Sequence, residues 1–168
     1  MKLIAITRAD GGLSLMRIIG DALAADEIEK WKTTAPGQYI SHIEVDEENL
    51  PQDRAFRDAW MLTGDQVQID MERAREIAKQ CVRQRRRELF PDWDVEWMKA
   101  QESGDAARMA AVAAVRQTLR DATDDSRLTA AADPDALKAA ALAVITELPD
   151  AMEQADAAEA ADAVSATL

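Results

Sequence analysis

The chain has 168 residues, is 48% hydrophobic but only 4% aromatic, and carries a net charge of −12. Alanine supplies much of the apolar total, so this length can bury one modest core or two small ones. So acidic a chain is repelled by phosphate backbones, which excludes general nucleic-acid binding, and a single cysteine excludes an internal disulfide and a cysteine-based zinc site.

The charge is uneven: −4 over residues 1–50, −1 over 51–104 and −7 over 105–168. No apolar run approaches the roughly 20 residues of a membrane span. Arg8, Asp10 and Arg17 interrupt what a signal peptide would need, so the expected location is the cytosol or a particle built there. Of seven aromatic anchors, five (Phe56, Trp60, Phe90, Trp93 and Trp97) lie between residues 56 and 97, where the best packing is expected.

In chain order, Lys2 to Arg8 alternates, with Leu3 and Ala5 on one face and Ile4 and Ile6 on the other. Asp10-Gly11-Gly12 is a turn signal and Leu13 to Ile19 a second β-like run, so Met1–Ile19 reads as a hairpin, ended by Gly20–Asp21. Ala25 to Thr33 predicts a short helix, acidic early and basic late, as the helix dipole favours. After Ala35-Pro36-Gly37, Gln38 to Val45 predicts a third strand. The outcome is a ββαβ head over residues 1–50, too small to be robust alone.

Asp46 to Gln52 reads as an acidic linker. Asp53 to Trp60 predicts a short helix with Phe56 and Trp60 on one side and Arg54 paired to Asp58, before a turn at Thr63-Gly64-Asp65-Gln66; this is the connector, 51–68. Ile69, Ala74, Ile77, Ala78, Cys81, Val82 and Leu89 then make one stripe of a long helix capped by Asp70. That stripe is narrow and built from small residues, so the helix reads as partner-seeking, in a coiled coil or bundle. Pro91 predicts a break or kink near Phe90, followed by a helix through Met98 and Lys99. Gly104 stops it and Asp105 caps the next helix, about Ala106 to Ala122, with Met109, Val112, Arg116 and Leu119 on one side. Residues 69–122 are thus a helical hairpin for oligomerisation. Beyond a loop at Thr123–Ser126, Asp133–Pro134 opens a helix to Leu148, and Ala/Asp-rich residues follow to 168, with a weak helical bias and little to pack. The fold class expected is α+β, mainly α.

Candidate chemistry is sparse. His42 lacks the partners of a metal site or triad and reads as a surface histidine. Cys81, on the apolar stripe, reads as a small buried hydrophobe. Asp92, Asp94 and Glu96 invite a metal, but helical spacing cannot aim all three at one ion, so they read as a solvated face. Arg83, Arg85, Arg86 and Arg87 could meet phosphate, yet acidic surroundings favour pairing with carboxylates. Asp10-Gly11-Gly12 lacks a P-loop's lysine and following helix. The expectation is a protein without catalysis, cofactor or metal.

Two stretches carry a resemblance. Arg116-Gln117-Thr118-Leu119-Arg120-Asp121 is similar to an RQALRD signature near the end of tail-fibre assembly and related tail proteins of tailed bacteriophages. Leu50-Pro51-Gln52-Asp53-Arg54-Ala55-Phe56-Arg57-Asp58-Ala59-Trp60 resembles an LPxDRxFRxAW block of small proteins encoded among phage or prophage tail genes of proteobacteria. The pattern continues through Met71–Ile77, Asp94–Met98 and Gly104–Asp105, spanning roughly residues 1–140, and alanine-rich 138–168 runs past it. The resemblance implies no catalytic residues. It implies a structural tail component, at the tail tip or on the fibre, resident in the virion and forming a homo-oligomer such as a trimer with other tail proteins as partners. The alternative is a tail-fibre assembly chaperone that leaves before the particle is finished. The interface expected uses Phe56, Trp60, Ala74, Ile77, Cys81, Trp93, Trp97 and Leu119.

Overall fold

The computed structural model describes residues 2–17 and 24–150. The expected strand end at Ile18–Ile19, the turn at Gly20–Asp21 and the Ala/Asp-rich segment after Asp150 lie outside the described residues. The fold is mixed α+β, with a small sheet followed by long helices. It divides into two compact units, residues 1–77 and 78–168.

The first unit opens with β1 (Lys2–Arg8) and β2 (Leu13–Arg17), an antiparallel hairpin in register from Leu3↔Arg17 to Thr7↔Leu13. Its turn is held by the Asp10 carboxylate, which accepts the Gly12 amide at 2.9 Å, while Gly11 takes φ 76°. That positive φ is cheap only for glycine. The same Gly12 hydrogen bond, with Arg8 adding to it, holds the Asp10 carboxyl below its ordinary range. Helix α1 (Ala24–Thr34) follows, and β3 (Tyr39–Asp46) returns antiparallel to β1, so the sheet order is β2-β1-β3. The expected ββαβ unit is therefore present.

Because β1 is central, both of its faces are covered. Ile4 and Ile6 pack with Ile28 of α1, flanked by Met16, Trp31 and Tyr39. Leu3 and Ala5 pack on the other face with Val45, Trp60 and Val67. Two-sided burial explains the continuous run Leu3-Ile4-Ala5-Ile6 where a half-buried strand would alternate with polar residues.

The cover on that second face corrects an expectation. Asp53 to Trp60 is not a helix. Asp53 accepts the Ala55 amide at 2.8 Å, Arg57–Ala59 is one 3-10 turn, and Trp60 starts a strand. Strands β4 (Trp60–Thr63) and β5 (Gln66–Ile69) pair from Trp60↔Ile69 to Thr63↔Gln66 around Gly64 at φ 65°. Phe56 and Trp60 mimic helical spacing, but a glycine turn between two short β-forming runs lets Trp60 and Val67 cap the sheet. The Arg54–Asp58 pair, which needed the helix, is not formed among the described residues. The first unit thus takes in the head, the connector and the first turns of the long helix.

Helix α2 (Met71–Ser103) starts as expected: the Asp70 carboxylate accepts the amides of Glu72 (2.9 Å) and Arg73 (3.2 Å). It then runs through Pro91 as one helix, so of the expected break or kink near Phe90 the break is overturned. Leu89 and Trp93 on either side of the proline are both buried in one core, and that packing holds the helix together despite the missing amide. Most of the stripe is also covered: Ala74, Ala78, Val82 and Leu89 are buried within the single chain, Ile69 and Ile77 are half-buried, and Cys81 is exposed. The premise that this helix needs other subunits to cover it is corrected.

In the second unit, Gly104 at φ 69° ends α2 and Asp105 caps α3 (Ala106–Asp121), accepting the Arg108 amide at 2.9 Å. A 3-10 turn (Ala122–Asp124) occupies part of the expected loop at Thr123–Ser126 and leads to α4 (Ser126–Ala130), a short helix the sequence did not announce. Helix α5 (Pro134–Glu147) begins on Asp133, whose carboxylate accepts the Ala136 amide. The core is Leu89, Trp93, Val112, Leu119 and Leu148, with Phe90, Trp97, Val115 and Ala122 at its margin.

Candidate functional site

The expected interface residues separate into two groups. Phe56, Trp60, Ala74, Trp93 and Leu119 are buried inside the chain, so as they stand they cannot meet a partner. Trp93 also donates its Nε1–H to the Pro149 carbonyl at 2.9 Å, which spends its polar end internally. Ile77 and Trp97 are half-buried. Cys81 is exposed, which corrects its reading as a buried hydrophobe. With roughly 100° per residue, Cys81 sits one turn from Ile77 and off the line of Ala74, Ala78 and Val82, at the stripe's edge.

Cys81 shares the open side of α2 with Val95 and Met98, all within about 100° of the circumference. Val95 and Met98 are 43% and 52% exposed, and elsewhere Ile40 on β3 and Leu142 on α5 are more exposed still, at 59% and 64%. Exposed side chains of this size, rather than the buried aromatics, are the apolar groups a partner could reach.

The charged runs are largely spent within the second unit. Arg85 pairs with Glu88 at 3.3 Å and Asp150 at 3.4 Å, as expected for carboxylate pairing. Arg86 instead donates to the Arg120 carbonyl near the C-terminus of α3 at 3.0 Å, a favourable end for a cation, and lies over the Phe90 ring. Asp94 binds Arg116 at 3.0 Å, and that guanidinium also covers the Trp97 ring at 5.6 Å. Glu96 is held by Lys99 at 2.7 Å and by Arg108. Lys99 first, and Arg108 after it, keep the Glu96 carboxyl below its usual range. Asp94 and Glu96 therefore engage different cations, and Asp92 is exposed, so the three do not converge on one ion. His42 is exposed on β3, its Nδ1 2.7 Å from the Tyr39 hydroxyl.

A cavity of about 430 Å³ opens between the end of α3, the 3-10 turn and the last turn of α5. Arg127 crosses it as a fork, reaching both oxygens of Glu147 (2.8 and 2.7 Å) and both of Asp125 (3.0 and 2.8 Å). Glu147 first and Asp125 second raise the Arg127 guanidinium above its ordinary value, and Arg127 in turn lowers both carboxyls. This is a clamp from α4 to α5. The residues had no visible connection in the sequence because the pairing spans 20 positions.

No protein-family model, curated protein or solved structure matches the chain.

Proposed function

We propose that the chain is a structural component of a bacteriophage tail, at the tail tip or on the fibre, and that it works by protein–protein assembly rather than by catalysis. The observation that carries the reading is that each resembling block contributes buried or tethering positions to its own unit. In the first block Asp53 caps the turn, Phe56 and Ala59 are buried, and Trp60 joins Leu3 and Val67 in the core. In the second, Leu119 is fully buried, Arg116 ties α3 to Asp94 of α2, and Gln117 bridges Asp121 and Arg120. A shared pattern made of fold-determining positions supports a shared fold, and with it the tail-region reading.

The expected self-association then rests on a changed surface. Cys81, Val95 and Met98 on α2 are the open positions, with Ile77 half-buried at the edge; other tail proteins or copies of this chain are the proposed occupants, a trimer among the closed forms. The chaperone alternative would hold fibre subunits through the aromatic cluster and the acidic tail; Phe56, Trp60 and Trp93 are buried and so out of reach, and the tail after Asp150 lies outside the described residues. Mass spectrometry of purified particles separates the two readings. Many copies per virion are expected, and absence from virions sinks the proposal.

A further inference from the structure

A second cavity, about 160 Å³, lies in the first unit and has no part in the assembly reading. Its lining includes three arginines that the sequence scatters: Arg17 at the end of β2, Arg54 in the loop and Arg57 in the 3-10 turn before β4. The carboxylate on the wall, Glu47, is engaged by Arg17, Nη2 to Oε1 3.3 Å. Among the described residues no carboxylate pairs with Arg54 or Arg57. Two of the three arginines lining the cavity are therefore without a carboxylate partner among the described residues, in a chain whose net charge is −12.

A second observation is independent of the arginines. Trp60 also lines the cavity; it is 2% exposed, and its Nε1–H is buried with no acceptor. An indole N–H can only donate, and an unmet buried donor is costly. That N–H has almost no accessible surface, so a ligand meets it when the Trp60 ring turns toward the cavity; an acceptor-rich anion suits this donor together with two arginines that lack carboxylate partners. Leu3, Leu15 and Leu50 supply apolar walls, which strengthen charge interactions there.

We propose that this cavity binds a phosphate group, presented by a small phosphate monoester or as free orthophosphate. The volume leaves room for one tetrahedral oxyanion and a few waters. A phosphate monoester carries about −1.5 to −2 at pH 7, which matches those two arginines, whereas a single carboxylate leaves one of them unmatched. Arginine is the side chain whose planar fork fits such oxygens in pairs. Ligand binding here is independent of tail assembly, so either reading can fail alone.

Proton–nitrogen correlation spectra of the full chain resolve one indole signal for each of its four tryptophans, and Trp60→Phe assigns the signal of interest. Orthophosphate, glycerol phosphate and glutarate are titrated at constant ionic strength. The Trp60 signal should move saturably with a phosphate; response to both, or to one alone, identifies the source. Arg54→Gln/Arg57→Gln, two exposed positions, should weaken binding at least tenfold with the fold intact. Monoester affinity should fall several-fold from pH 7.5 to pH 5 as the second proton returns, with its pKa near 6. No saturable movement with either phosphate overturns the proposal, as does equal affinity for glutarate or unchanged affinity in the double variant.

Discussion

Replacing Pro91 by alanine should stabilise the second unit, and the size of the gain can be worked from the helix. Proline at 91 has no N–H to offer the carbonyl of Arg87, four residues back, and its ring crowds that carbonyl, yet α2 continues to Ser103. Pro91 is exposed, so truncating its ring removes no buried packing. An interior proline costs about 3 kcal/mol relative to alanine. Its stiffening of the unfolded chain returns about 0.4–1 kcal/mol, which leaves a net gain near 2 kcal/mol. For a unit of the size of residues 78–168 that is about 8–16 °C in its melting. The measurement is urea and thermal denaturation by fluorescence in a background with Trp31 and Trp60 changed to Phe, so that Trp93 and Trp97 alone report. A gain below about 0.5 kcal/mol, or a loss, would refute the reasoning: it would mean that the helix needs the proline's distortion to seat Leu89 and Trp93.

Leu119→Ala, at a fully buried core position, should cost about 2–5 kcal/mol in the same assay, and a loss under 1 would contradict that packing. Glu96, whose carboxyl is held low by Lys99 and Arg108, stabilises the fold above the ordinary carboxylate range; that contribution disappears as pH falls through the lowered folded value. Glu96→Gln should therefore flatten the acid side of the stability–pH curve below about pH 5, and an unchanged slope would discount the pairing. Cys81 should react fully with a thiol reagent in dilute folded protein and become protected as concentration rises, if the open side of α2 is where copies meet. Full reactivity at every concentration at which scattering detects an oligomer would move that interface elsewhere.

Local chemistry settled much of this molecule. The turn at Asp10–Gly12, the caps at Asp70, Asp105 and Asp133 and the stop at Gly104 depend on residues within four positions of each other, and each was legible before any packing was known. The head's two-strand hairpin, helix and third strand were legible in the same way, whereas the order β2-β1-β3 and the cover on both faces of β1 came with the tertiary structure. What only the tertiary structure decided involves choices between near-equal local states. Phe56 and Trp60 suit a helix by spacing, and the sheet's need for cover drew Trp60 into a strand. Pro91 marks a break by itself, and the core around Leu89 and Trp93 overrode it. The fate of Ala74, Ala78 and Val82 was equally undetermined, because a stripe of small side chains can be covered by another copy or by the rest of its own chain. The arginines near Trp60 and the Arg127 clamp stand far apart in sequence. Loop closure and core burial brought each set together, and neither leaves a mark in a short window of residues.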